Sequence, residues 1–89
     1  MKAVITVLGK DMVGILAKVS TICAENGVNV IEVTQSIMQD LFAMIMMVDI
    51  ENSSVPFAEL TEKLQVVGDD MGLKIHVMHE DIFNSMHKI

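Results

Sequence analysis

The stretch from Val7 to Gln35, VLGKDMVGILAKVSTICAENGVNVIEVTQ, decides how this chain folds. It opens with the end of a β-branched apolar run, residues 2–8, which reads as a strand closing at Gly9. Gly9-Lys10-Asp11-Met12-Val13-Gly14 follows as a short loop. Met12, Ile15, Leu16, Val19, Ile22 and Cys23 then recur at helical spacing, with Lys18, Thr21 and Glu25 opposite them. Asn26-Gly27 is a stop signal for that helix. Val28 to Met38 alternates as a second strand, with Ile31, Val33, Gln35 and Ile37 on one face and Glu32, Thr34, Ser36 and Met38 on the other. Strand, helix and strand together make one β-α-β unit.

Downstream the pattern repeats in reverse proportion. Gln39-Asp40 turns the chain, and Leu41 to Ile50 returns as a third strand, apolar on both faces and so expected to be covered on both. Glu51-Asn52-Ser53-Ser54 is a polar break, with Ser54 placed to cap a helix and Pro56 in its first turn. Phe57, Leu60, Leu64, Val67 and Met71 form that helix's apolar stripe, ended by Gly72, and Leu73 to Glu80 reads as the fourth strand. Asp81 is placed to cap a helical tail, residues 81–89, in which Ile82, Phe83, Met86 and Ile89 share a face. Crossovers of this kind are right-handed almost without exception. The order β-α-β-β-α-β therefore predicts an α+β, ferredoxin-like sandwich, a four-stranded antiparallel sheet with two helices on one face and a short C-terminal helical segment. The chain is read as one domain over 1–89, with its core in 2–80.

Such a plan leaves one sheet face bare. Val4, Ala43, Ile45, Met47 and Met78 would project there beside Thr6, Thr34, Ser36 and His76, and the tail and a second subunit are expected to share in covering them. Composition points the same way. The chain has 89 residues, of which 52% are hydrophobic, and a mean hydropathy of +0.51. That is more apolar surface than one small core absorbs, and self-association is a direct way to bury it. A membrane is not needed, because the longest apolar run, Leu41 to Val48, falls far short of the roughly 20 residues of a spanning helix. The N-terminus lacks the layout of a signal peptide, so a cytoplasmic protein is expected.

Charge excludes further classes. The net charge is −6, the sequence contains lysine but no arginine, and it has no Trp or Tyr. Nucleic-acid binding wants a basic footprint and stacking aromatics, and this chain offers neither. Cys23 is single, cannot form an internal disulfide, and falls on the apolar side of the first helix. A soft-metal carrier of this fold would want Cys-x-x-Cys after the first strand, and an acylphosphatase an arginine there; both are missing. His76 and His79 fall on opposite faces of a strand, which spoils a shared metal site with Glu80, Asp81 or His87. Ser20, Ser36, Ser53, Ser54 and Ser85 have no evident base and orienting partner nearby, so no catalytic residues, metal ligands or cofactors are assigned.

The first loop is the place where chemistry collects. Gly9 frees the backbone after the strand, and Gly14, in the first turn of the helix, lets a backbone or ligand come close. A helix N-terminus favours a carboxylate, and Asp11 could accept hydrogen bonds from an ammonium group. Together these suit an α-amino acid, which carries one group of each kind. The plain alternative is that Asp11 caps the helix and Gly14 permits close packing.

The same stretch, with its Asp-x-x-Gly-Ile-Leu-Ala-x-Val-Ser turn and its Gly-Val-Asn-Val after the helix, resembles an ACT domain, and the likeness spans residues 2–80. The relatives it suggests are short stand-alone ACT proteins and the two-domain regulator of the glycine cleavage system. The resemblance implies a non-catalytic regulatory homodimer, with an amino acid held between subunits at the first loop. Carried over by position, the contacts fall on Asp11, Gly14 and Asn29, with Gly9, Lys10, Met12, Val13 and Ile15 lining the loop. Asp11 departs from the asparagine of serine-type binders; it would attract the amine and repel the carboxylate. The other reading is a protein-interaction module without a small ligand, docking on an enzyme or regulator.

Overall fold

The computed structural model describes residues 1–10 and 14–86. Its elements are β1 (Lys2–Gly9), α1 (Ile15–Glu25), β2 (Asn29–Met38), β3 (Leu41–Asp49), α2 (Phe57–Met71), β4 (Lys74–His79) and α3 (Glu80–Met86). The strands form one antiparallel sheet in the order β2-β3-β1-β4. This is the βαββαβ ferredoxin-like plan with a short C-terminal helix.

One face of the sheet carries the core. Ala3, Ile5 and Val7 on β1 lie beside Val48, Met46 and Met44 on β3, and all six are at most 1% exposed. Ile15, Val19 and Cys23 from α1 and Leu60 and Leu64 from α2 pack down on them. The helical spacing of those apolar positions is what lets each helix bury a stripe while its other side stays wet. Gly9 ends β1 on this same face, opposite Phe42. A Cβ there would run into the buried Leu73 side chain. Its glycine therefore makes room for packing, in place of the backbone freedom expected for it.

Three local expectations need correction. First, β2 carries a bulge between Val30 and Glu32. The extra residue shifts the alternation, so that Val30 and Val33 pack against the core while Ile31 is 46% exposed. Second, α2 begins at Phe57 with Pro56 as its extended N-cap and no side-chain cap. Ser54 is not that cap: its N–H donates to the Asn26 carbonyl, and Ser53 Oγ closes the turn by donating to the Val55 carbonyl. Third, the second face of β3 is covered only in part by the described residues, for Ile45 is 40% exposed there.

Candidate functional site

α1 is an 11-residue helix whose start is shaped by Gly14. Gly14 sits just before the helix as its N-cap, outside the first turn, in the left-handed conformation with φ +75°. A side chain there is strained, which explains the glycine without any packing partner. Among the described residues, a Cβ at Gly14 would meet nothing within 4 Å. Gly14 has no side chain with which to cap, and the first turn of α1 holds no acidic residue. The helix end thus keeps its partial positive charge in the direction of the loop. Ile15, next in sequence, is fully buried and belongs to the core; Lys10 is exposed. Asp11, Met12 and Val13 lie outside the described residues, as does His87.

Asn29 is exposed at the start of β2. It pairs with Asp49, which pairs with Lys2, whereas Gly9 pairs with Phe42 at the other end of the sheet. From Phe42 to Asp49 the strand covers roughly 24 Å at the usual rise per residue. One chain therefore does not bring Asn29 to the loop. The resemblance placed this site between subunits, and the strand length gives the physical reason why it would have to be.

The remaining reactive groups have local roles. Burial pushes the Cys23 thiol up to about 11, so it stays protonated and a poor nucleophile at neutral pH. The Asp81 N–H donates to His79 Nδ1 at 3.2 Å, so His79, and not Asp81, caps α3. An ion pair between His79 Nδ1 and Asp81 Oδ2 at 3.6 Å would need a proton on the same nitrogen. His76 and His79 lie on opposite sheet faces, beside Thr6 and Ala3 respectively. Among the described residues no group of three or more His, Cys, Asp or Glu is placed to hold a metal. No helix among them is long and apolar enough to cross a membrane. A groove of about 370 Å³ runs between α1 and α2, with Ile22, Val66 and Val67 along it and Glu25, Glu59, Glu62 and Lys63 at its rim. It carries no feature that the sequence singled out.

Residues 2–78 match the ACT domain family. The chain belongs to that family. A UPF0237 protein of Methanocaldococcus jannaschii is 47% identical over 88 residues, 99% of this chain and 98% of that one. An ACT domain protein from Streptococcus pneumoniae superimposes with a TM-score of 0.81 at 35% identity, covering 93% of each chain. A protein described as a glycine cleavage system transcriptional repressor shares the fold, with a TM-score of 0.68 at 24% identity over 85% of this ACT domain and 43% of its own length.

Proposed function

We propose that this ACT domain is a non-catalytic regulatory module that binds an amino acid between two copies of itself, at the loop joining β1 to α1. The observation that carries the reading is the start of α1. A left-handed glycine, beside which none of the described residues would crowd a Cβ, opens a helix whose first turn has no acid to neutralise it. A carboxylate suits such an end, and Asp11 in the adjoining loop is the complement for an amine. β2 is an edge strand. If two copies pair β2 with β2 antiparallel, each strand's start lies at the end of the other. The partner subunit's Asn29 then reaches the end of the sheet where Gly9 and the loop lie. The amino acid would act by favouring the paired state, to the extent that it binds that state better than the separate chain.

A thermal-shift screen against the free amino acids tests this. A ligand at about 100 times its Kd adds about 2.7 kcal/mol to stability, a rise of roughly 10 °C or more in a domain this small. The rise should vanish in Asn29→Ala, whose exposed side chain leaves the fold undisturbed. Gly14→Val is the poorer probe, because φ +75° strains any side chain. Asp11→Asn addresses the ligand class: if it creates binding that the native chain lacks, the native loop is not tuned to amino acids.

The second reading, a protein-docking module, is supported by the groove between α1 and α2, where Val66 is 53% exposed among acidic neighbours. A flat amino-acid panel would move the assignment there.

A further inference from the structure

The groove between α1 and α2 is apolar at one end and acidic at the other. Ile22 of α1 with Val66 and Val67 of α2 makes the apolar part, and Val66 is the most open of them at 53%. One turn back along α2 stand Glu62 and Lys63, and two turns back Glu59. They line the groove together with Glu25 and Asn26 at the end of α1.

That end is rich in acceptors. Glu25, Glu59 and Glu62 set three carboxylates against the amine of Lys63, and none of the four forms an ion pair among the described residues. α1 finishes here with no basic residue in its last turn, so nothing in the helix offsets the partial negative charge of its C-terminus. The positive end of α2 starts nearby, and Glu59 in its first turn answers it. Asn26 is only 6% exposed. Its Nδ2 donates to the Ile22 carbonyl at 2.7 Å, while its Oδ1 accepts no hydrogen bond from the described residues. No fully buried side-chain polar atom among them lacks a partner, so this oxygen is reachable from outside. The neighbouring charges do not reverse the balance. Lys18 lies one turn before Ile22, away from the acidic end, and Asp69 and Asp70 lie a turn beyond Val66. Glu51 precedes Asn52, which packs beside Gly27.

We infer that the groove takes a basic amphipathic helix of a partner protein. An apolar side chain of that helix rests on Ile22 and Val66, and a lysine or arginine one turn away donates to Glu59, Glu62 and Asn26. The spacing matches: Glu62 and Val66 are four residues apart, roughly 6 Å along α2, the same step as i to i+4 on a helix laid against them. Opposed charge then fixes the direction in which the helix lies. A second copy of this chain has no such face to offer, for α1 and α2 hold one lysine each and α3 none. The inference rests on the docking reading and gives it a partner chemistry. It is separate from the amino-acid reading, because Gly14 and Glu25 stand at opposite ends of α1, roughly 16 Å apart.

The probe is a fluorescent peptide of about 15 residues, long enough to form a helix, with leucine at helical spacing on one face and lysine on the other. It is titrated against the full chain by fluorescence anisotropy at low salt, with circular dichroism to verify folding. The native chain should bind it, and should not bind a peptide with glutamate in place of every lysine. Val66→Lys and Glu62→Lys change exposed residues, and each should weaken binding about tenfold or more. Asp40→Lys makes the same charge change as Glu62→Lys but in the β2–β3 turn, and should weaken binding less than about threefold. The proposal is overturned by no binding to the native chain, by equal binding of the glutamate peptide, or by a loss in Asp40→Lys as large as that in Glu62→Lys. A folded Val66→Lys or Glu62→Lys chain that keeps native affinity overturns it too. If the peptide fails while hexylamine raises the melting temperature of the native chain and not of Glu62→Lys, the occupant is a small amine and the helix is overturned. Amino-acid binding is read through Asn29→Ala, so either reading can fail while the other stands.

Discussion

The two faces of the sheet are made from alternate residues of the same four strands, and they have come to very different ends. Toward the helices, Ile5, Val7, Met44, Met46 and Val48 are shut away by α1 and α2. On the reverse, Val4 is fully buried, while Ile45 and Leu8 stay open at 40% and 43%. Hydropathy does not distinguish the faces of β3, since both are apolar. The difference lies in how much chain is available to cover each: the two long helices on one side, a single short one on the other. An apolar strand pattern therefore reports that a face will be buried, and leaves open whether the same chain does the burying.

If the closed face is the one that folds the protein, damage there should be the largest of any substitution. Leu64→Ala removes a side chain with no solvent exposure and is expected to cost about 2–5 kcal/mol. In a domain of this size that lowers the melting temperature by roughly 10 °C or more. A loss below about 1 kcal/mol by denaturant titration would break the contrast between the faces.

Cys23 tests the dryness of that face by pH. Burial raises its thiol from 9.0 to about 11, because the thiolate is disfavoured there. Below pH 9 both folded and unfolded chains hold the proton and nothing changes. Between pH 9 and 11 the unfolded chain releases it first, so stability falls as pH rises through that window and is lost in full above about 11. The limit is about 2–3 kcal/mol. Melting temperatures of the native chain should decline more steeply over that range than those of Cys23→Ala, which has no thiol to ionise. Parallel curves would mean that water reaches the thiol.

A smaller effect is expected at Gly9. Gly9→Ala drives a methyl group into Leu73, and overpacking of this kind costs about 1–3 kcal/mol. Because a single contact is responsible, Leu73→Ala should absorb much of the penalty, and the double variant should be more stable than the sum of the two losses implies. Strict additivity would mean that Gly9 is needed for its backbone after all.

These residues also show what the sequence could and could not disclose. The order of elements was legible because each carries its own period: alternating residues in β1, a helical stripe in α2, and Asn26-Gly27 and Gly72 as stops. The bulge at Ile31 was not, since one inserted residue leaves an alternating strand looking continuous. Nor was the role of Gly9, whose crowding by Leu73 joins residues distant in sequence. Ser54 looked like a cap because its type and position suit one, but Asn26 offered its N–H a carbonyl across the fold. The candidate site was half legible. The loop could be picked out from its glycines and charges, and Asn29 from resemblance alone. Their separation by the length of the sheet follows from strand register, which no local pattern contains.

The smallest effect is expected on the open face, and its value depends on concentration. Ile45→Thr keeps a β-branched residue on β3 and removes apolar surface that is already 40% exposed. In dilute solution, where chains are separate, the change in unfolding free energy should stay within about 0.5 kcal/mol, as for other surface substitutions. At concentrations where copies associate, the native chain gains stability by mass action, and the variant should gain less. The gap between the two proteins should therefore widen as concentration rises. A gap above about 1 kcal/mol that is already present in dilute solution would show Ile45 to be covered within its own chain, and the two faces would then differ less than their exposure implies.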